Sequence, residues 1–394
     1  MPKILQINEC LNLSTGKIVQ QIGETAMAHG WESWIAYSGR EKEMSSKSNL
    51  IRIGNYVDAC LHYINQRLFD NEGLASSRYT KELILKIDSI DPDIIHLHNI
   101  HDHWLNYPIL FAHLAMKNIP VVWTQHDCWA FTGGCMYFDM LGCNNWMDGC
   151  HNCQDNRTII LNQSVRNFNL KLETFAKIKS LTFVPVSEWL TDLMRQSVQK
   201  NRTIVTIHNG TDLGVFKPIA REIPKEEKFR IIGVAAVWDA RKGLGDFIKL
   251  RSLLPSDFEI TLVGLTEKQL KKLPQGIIGI TRTSNVTELA GLYSKSDVFV
   301  NPTYSDNFPT TNIEALACGT PVITYRTGGS PEAVDEHTGV VIEQGNVEAL
   351  AEAVLKMKEQ PLSSGACRKR AEEFFDKDKC FTKYISLYEK ILAM

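Results

Sequence analysis

At 394 residues the chain is longer than one ordinary domain, and the usual range of roughly 100–200 residues per domain points to two. Its 43 Lys and Arg against 45 Asp and Glu give a formal net charge of −2 with no basic arm, so nucleic acid is not an expected partner. No apolar run approaches the ~18 residues needed to cross a bilayer, and "MPKILQINE" leads straight into a strand, which makes the cytoplasm the expected compartment.

The first half alternates short apolar runs with amphipathic stretches. "KILQI" predicts a strand, 16–28 a helix, "SWIAYS" a strand, 79–90 a helix, and "PDIIHLH", "IPVVWTQ" and "LTFVPVS" further strands. Runs this dense in Ile and Val are expected where both faces of a strand are covered, hence in a parallel sheet flanked by helices. The polar stretch 41–49 reads as a loose loop. At 210–228, turn formers, prolines and a charged run interrupt the pattern and place a linker there.

The alternation then restarts at Arg230 or Ile231. "RIIGVAAVW", "FEITLVG", "GIIGI", "DVFVNPT", "TPVITY" and "GVVIE" predict strands, with helices at 243–254, 267–272, 286–295 and 310–318 between them and at 346–358, 363–375 and 379–393 after them. Two doubly wound α/β domains of similar size follow. No short internal repeat is visible, which argues against a solenoid.

Chemistry concentrates where predicted strands end. After the first strand, Ser14, Thr15 and Gly16 form a turn in which a small residue would let a diphosphate or sugar approach backbone amides at a helix N-terminus; the bland reading is an ordinary turn, and the full G-x-G-x-x-G fingerprint is absent. "HLHNIHDHW" supplies His96, His98, His101 and His103, a poor match to a closed metal-ligand set because the spacing alternates from strand into loop. His126 and Asp127 follow another strand end, where they could hydrogen-bond a sugar hydroxyl or take a proton, or serve only structure. Arg241 and Lys242 immediately precede a helix, so cations and helix dipole converge, as a diphosphate requires; a solvated basic turn is the alternative. Asp306 lies in a strand-to-helix turn and Glu314 one turn inside the next helix, so both carboxylates can face one crevice. Glu314 then suits vicinal ribose hydroxyls, and backbone amides at 307–310 suit a sugar or phosphate.

Ten cysteines divide into two groups. Cys10, Cys60, Cys318, Cys367 and Cys380 are isolated and read as small buried residues or free thiols. Cys135, Cys143, Cys150 and Cys153 crowd an insert at 128–154 that also holds Cys128 and His151; a C-x2-C pair with two upstream cysteines can close a tetrahedral structural zinc site, with disulfides or free thiols as the alternatives. The stretch that follows reads as a helix carrying Leu161, Val165, Phe168, Leu172 and Phe175 on one face, either against a core or as peripheral contact with an anionic membrane.

"HNGTDLGVFKP", "RKG", the Asp306–Glu314 pair and "EALACGTPVITYRTGGSPEAV" occur in the order found in retaining glycosyltransferases of family 4, which the whole chain resembles. The resemblance implies a GT-B fold, two doubly wound Rossmann-like domains facing an interdomain cleft: 1–210 on the acceptor side, with helix 379–394 packing back on it, and 225–375 binding the nucleotide sugar. It assigns Glu314 to the donor ribose. Asp306, Asn307, Phe308, Pro309 and Thr310 fall to the transferred sugar and diphosphate, Lys242 and Arg241 to the leaving diphosphate, Gly16 and His126 to the first-domain side, and backbone groups around Ile280 to the base. It also implies a UDP- or GDP-sugar donor, no catalytic metal, and a saccharide or lipid-linked acceptor of surface polysaccharide assembly, as in transferases of the colanic acid type that share "HDCWAFTGGC" and a cysteine-rich insert. Work on lipid-linked acceptors would put the enzyme at the inner face of the cytoplasmic membrane.

Two departures from the family pattern stand out. Asp306 replaces the usual Glu and is one methylene shorter. Val237 and Trp238 stand where the family arginine usually lies, leaving Arg241 as its substitute. These departures motivate a second reading, a catalytically silent nucleotide-sugar-binding protein; a third is another GT-B chemistry, such as a nucleotide-sugar epimerase.

Overall fold

A computed structural model describes residues 1–12, 14–40, 44–151, 153–154, 158–219 and 228–394. The chain forms two compact units, Met1–His208 with Phe381–Met394, and Asn209–Cys380. Residues 41–43 of the expected loop, residues 220–227 of the expected linker and the expected second-domain start at 225 lie outside the described residues.

The first unit runs β1 (Lys3–Ile7), α1 (Ser14–Ala28), β2 (Glu32–Ser38), β3 (Asn49–Ile53), α2 (Tyr56–Phe69), α3 (Ser77–Ile90), β4 (Ile94–Leu97), α4 (Tyr107–Lys117), β5 (Val121–Gln125), α5 (Ser164–Ala176), β6 (Leu181–Pro185), α6 (Glu188–Gln196) and β7 (Thr203–Ile204). Its seven strands lie in the order β3-β2-β1-β4-β5-β6-β7, all parallel. Every residue of β4, β5 and β6 is buried, which is why those segments read as unbroken apolar runs. Asn55, Asn106 and Ser187 cap α2, α4 and α6, each accepting a backbone N–H of the first turn.

The second unit runs β8 (Phe229–Val234), α7 (Leu244–Leu253), β9 (Phe258–Val263), α8 (Glu267–Leu270), β10 (Ile277–Ile280), α9 (Val286–Lys295), β11 (Val298–Asn301), α10 (Thr310–Ala317), β12 (Val322–Tyr325), β13 (Gly339–Ile342), α11 (Val347–Glu359) and α12 (Ser364–Phe374). Its parallel sheet has the order β10-β9-β8-β11-β12-β13. Strand order therefore reverses between β1 and β4 in one sheet and between β8 and β11 in the other, and such reversals open a crevice beyond the carboxyl ends of the strands.

The last helix, α13 (Lys377–Leu392), runs from the second unit into the first. Within the first unit it buries Phe381, Tyr384, Ile385 and Tyr388. Tyr388 Oη lies 2.7 Å from His96 Nδ1, His96 Nε2 lies 2.7 Å from Thr124 Oγ1, and that hydroxyl donates to Tyr384 Oη at 2.9 Å. No described helix is long and apolar enough to cross a membrane.

The sequence reading had no counterpart for β3, α2, α4, α6 or β7. In α2 the buried side chains are Ala59, His62 and Gln66, while Tyr56, Val57, Leu61, Tyr63 and Ile64 are exposed, the inverse of the pattern that reveals a helix. The face drawn through Leu161, Val165, Phe168, Leu172 and Phe175 also needs correction. Leu161 precedes α5 and is exposed with Val165, whereas Phe168 and Phe175 are buried in the core, so α5 packs inward. The helix expected from 243 starts at Leu244, and Arg241 and Lys242 occupy a separate 3-10 turn, Ala240–Lys242.

Deleting Phe381–Met394 removes four fully buried side chains, each worth about 1.5–3 kcal/mol, from a unit whose total stability is of order 5–15 kcal/mol. The first unit should unfold at much lower urea, followed through its Trp residues, seven of the chain's eight. An unchanged midpoint contradicts this packing.

Candidate active site

The turn after β8 is built to meet the segment after β11. The Asp239 carboxylate accepts the Lys242 N–H at 3.1 Å and closes the turn. Gly243 then takes a left-handed conformation, φ 72°, and a Cβ there would lie 2.2 Å from the Pro302 carbonyl oxygen, so only glycine allows this approach. Tyr304 N–H donates to the Arg241 carbonyl at 2.7 Å, and Thr303 Oγ1 adds a second bond to it at 3.3 Å. Lys242 is thereby brought onto Asp306, and its ammonium donates to the carboxylate. Arg241 Nη1 donates to the Ser305 carbonyl at 3.0 Å and lies 4.0 Å from the same carboxylate. A third loop, after β12, closes on the pair: Gly328 has φ 52°, and a Cβ there would be 1.8 Å from the Asp306 carbonyl oxygen.

α10 starts at this point. Pro309 precedes it, no side chain caps it, Phe308 and Pro309 are buried and the Asn312 N–H donates to the Pro309 carbonyl at 3.1 Å, so the positive end of the helix dipole begins four residues after Asp306, the carboxylate that Lys242 holds. A buried polar network fixes the helix to the sheet. Asn301 Nδ2 donates to Asn312 Oδ1 at 2.8 Å, Asn312 Nδ2 donates to Ser330 Oγ at 3.0 Å, and Ser330 Oγ lies 2.7 Å from Thr324 Oγ1. Glu314 is half-buried one turn in, accepting from Tyr293 Oη at 3.3 Å; burial, then the carboxylate, pushes the Tyr293 phenol well above its usual range, so it remains a donor. Asn301, Asn312, Ser330 and Tyr293 are positioning residues that sequence reasoning missed. The Ile280 carbonyl already accepts from Gly264 and Leu265 N–H at 2.8 and 3.2 Å.

In the first unit, Gly16 is buried in the first turn of α1. Its smallness serves the chain's own loop, because a Cβ would lie 2.4 Å from the Leu11 carbonyl carbon. His126 Nε2 lies 3.1 Å from His98 Nδ1, with the rings 5.4 Å apart and 18° from parallel, and His98 Nε2 lies 3.2 Å from Gln6 Oε1. Burial lowers His126 to about 4 and holds His96 and His98 well below the usual range, so this ladder is neutral. His101 is the opposite case. Asp127 at 2.8 Å and Asp102 at 3.5 Å overcome the cost of burial and raise it well above the usual range. Asp127 also accepts the Trp129 N–H at 2.9 Å, so its two oxygens are engaged within the loop. Glu72, His101 and Asp102 hold ligand atoms within 4.8 Å of one another, but with His101 protonated the cluster is an ion pair. Cys135, Cys143, Cys150 and Cys153 form no disulfide and line one cavity.

Comparison with known proteins gives two family matches. The profile described as Glycosyl transferases group 1 matches residues 215–374, and the one described as Glycosyltransferase Family 4 matches residues 16–215, just over half of the chain. The chain belongs to glycosyltransferase family 4. Among its relatives, WcaC of Escherichia coli K12, named as a colanic acid biosynthesis glycosyl transferase, is 23% identical over 280 residues, 65% of each chain. An N,N'-diacetylbacillosaminyl-diphospho-undecaprenol alpha-1,3-N-acetylgalactosaminyltransferase of Campylobacter jejuni is 25% identical over 232 residues, 53% of this chain and 60% of that protein. The chain thus spans less than two thirds of the length of these curated relatives. Sucrose-phosphate synthase from Thermosynechococcus elongatus superposes with a TM-score of 0.76 at 18% identity, covering 100% of both chains, which establishes the GT-B fold read from the sequence.

The neutral histidines make the first unit acid-sensitive. Burial lowers His62 and His126 to about 4, holds His96 and His98 well below the usual range and lowers His103 as well, so below about 6.5 the unfolded chain binds more protons than the folded one, and stability falls as pH drops toward 4. His101 works in the opposite sense, its contribution present below about 6.5 and lost as pH rises through its raised folded value. Five lowered histidines, His62, His96, His98, His103 and His126, against the one raised, His101, predict a lower urea midpoint at about pH 5 than at about pH 7.5, with the Trp signal as the readout. Equal midpoints contradict the neutral ladder.

Proposed function

We propose that this family 4 protein is a retaining glycosyltransferase that moves a hexose-type sugar from a nucleoside diphosphate sugar, UDP- or GDP-linked, to a saccharide or lipid-linked saccharide acceptor in surface polysaccharide or glycan biosynthesis. The observation that carries the reading is the meeting of Arg241, Lys242, Asp306 and the uncapped start of α10 where the strand order of the second sheet reverses. Two cations, a helix N-terminus and a carboxylate one turn inside that helix suit a diphosphate flanked by a ribose.

In this reading Glu314 accepts the ribose hydroxyls. Lys242 and Arg241 stabilise the charge that develops on the departing diphosphate, and Asp306 with the backbone of Asn307 and Thr310 holds the transferred sugar. Lys242 has a second task, because without donor it neutralises Asp306; a bound diphosphate would share the ammonium with the carboxylate. Transfer would proceed with retention at the anomeric carbon, the leaving phosphate taking the acceptor proton. His126, at the end of β5, serves the acceptor side. As a neutral imidazole it can donate or accept a hydrogen bond without adding a charge.

The lipid-linked acceptor draws support from two features. The Campylobacter jejuni relative is named for a diphospho-undecaprenol substrate. Val57, Leu61 and Ile64 of α2 are exposed apolar side chains, as are Ile159 and Ile160 of the segment tied to the end of that helix by the Ile159 N–H, which donates to the Arg67 carbonyl at 2.7 Å. This surface, rather than α5, is the proposed contact with a cytoplasmic membrane face. The double variant Leu61→Glu and Ile160→Glu should abolish co-sedimentation with anionic vesicles while leaving soluble-acceptor turnover intact; retained co-sedimentation removes the proposal.

The catalytic reading is tested on purified protein with a panel of nucleotide sugars, following diphosphate release with and without acceptor. Lys242→Ala should lower kcat by about 10²–10³. Glu314→Gln should raise donor KM about tenfold, equivalent to about 1.4 kcal/mol, with little change in kcat. Donor binding without turnover across acceptors would instead identify a silent binding protein, and isomerised sugar without acceptor consumption would identify an epimerase.

A further inference from the structure

Between β5 and α5, residues 126–163 contain, as far as they are described, only three short 3-10 turns, Trp129–Phe131, Phe138–Leu141 and Asn145–Met147. Connections beyond about 12–15 residues with so little regular structure are uncommon in a compact domain and need something else to hold them. This one nonetheless has a packed interior. Trp146 is buried with its ring 5.4 Å from Phe131 and 5.0 Å from Phe138.

Beside that cluster, Cys135, Cys143, Cys150 and Cys153 line a single cavity of about 20 Å³. The space is on the scale of one water molecule or ion, far below that of a sugar. Cys150 is held with particular care. It adopts a left-handed conformation, φ 53°, rare outside glycine, and its sulfur accepts the Gly133 N–H at 3.0 Å. A Cβ on Gly133 would lie 2.5 Å from the Ser164 carbonyl oxygen, so the approach that makes this N–H···S bond depends on glycine. Ser164 Oγ in turn donates to the Cys150 carbonyl at 2.9 Å. Lys171, buried to 3% exposure, points into the same loop, donating to the Trp129 and Thr132 carbonyls at 2.6 and 3.0 Å with its ammonium 3.4 Å from the Trp129 ring centroid. Burial nevertheless raises the Cys150 thiol above its usual range, with the Gly133 N–H and Lys171 offsetting only part of that, so the case for a site rests on the cavity that the four sulfurs share.

We infer that Cys135, Cys143, Cys150 and Cys153 bind one structural zinc ion. Each thiol gives its proton to solvent, the four thiolates and Zn²⁺ carry a net charge of −2, and Lys171 offsets part of it. No electron is transferred, so the site needs no oxidant, whereas disulfides between the same residues would. The sulfurs do not yet stand at ligand spacing, since the described group within 4.8 Å is Glu72, His101 and Asp102. Zinc therefore draws the sulfurs inward and fixes the loop that begins beside His126 and Asp127.

The test uses the full chain purified without chelator from zinc-supplemented medium. Metal analysis should find about one zinc per chain, with Cys135, Cys143, Cys150 and Cys153 protected from a thiol reagent until a chelator is added. Cys153→Ser should lower zinc content at least severalfold, while Cys60→Ser, on α2, should leave it unchanged. Should the serine variant fail to fold, cobalt loading of the chelator-treated wild-type chain keeps the question open to answer: a thiolate-to-cobalt charge-transfer band supports the site, and its absence overturns it. Absence of zinc with all four thiols reactive in the folded protein also overturns it, as does a mass two hydrogens low for each bridge formed.

Discussion

The ion pair between Lys242 and Asp306 is the contact on which the second unit's site depends, because it joins the loops after β8 and β11 at the point where strand order reverses. The β8 turn is closed by Asp239 and by a glycine pressed against Pro302, and the β11 segment is closed by Gly328 pressed against Asp306. Both ionic side chains remain slightly exposed, 17% and 18%, so the pair faces solvent rather than being sealed in the core. That exposure lets an incoming anion compete for the lysine, which a fully buried pair would resist.

Around that pair the unit is held by buried polar contacts. The Asn301–Asn312–Ser330–Thr324 network fixes the angle at which α10 leaves the sheet, and so fixes where its first-turn amides point. Placement before ligand arrives is what makes such donors effective, since no reorganisation is then charged against binding or catalysis. The first unit solves a different problem. Its histidines at strand ends are kept neutral by burial and tied to one another, while the charge is confined to His101 between Asp102 and Asp127. His126 thereby stands at the end of β5 as a neutral imidazole bonded to His98.

Much of this was legible in the sequence for a simple reason: parallel strands covered on both faces leave apolar runs that nothing else in a soluble chain explains, and the residues that end them mark the site. Lys242, Asp306 and Glu314 could be located that way. Their pairing could not, because 64 residues separate Lys242 from Asp306 and only the tertiary fold brings them together. The alternation of His96 and His98 was visible as a pattern, but whether it held a metal or a stacked neutral ladder depended on partners as distant as Gln6 and Tyr388. α2 was hidden outright, since it buries His62 and Gln66 and exposes Val57, Leu61 and Ile64. In α5 the apolar repeat was visible, and its direction was settled only by the burial of Phe168 and Phe175.

The central claim is that the second unit binds donor through its diphosphate, and calorimetric titration of the full chain tests it most directly. Uridine and guanosine are compared with their diphosphates at low and high salt. The account predicts that one diphosphate binds at least tenfold more tightly than its nucleoside, that added salt weakens it, and that Lys242→Ala removes most of the difference. Equal affinity of nucleoside and diphosphate, or an advantage that survives Lys242→Ala unchanged, would contradict it.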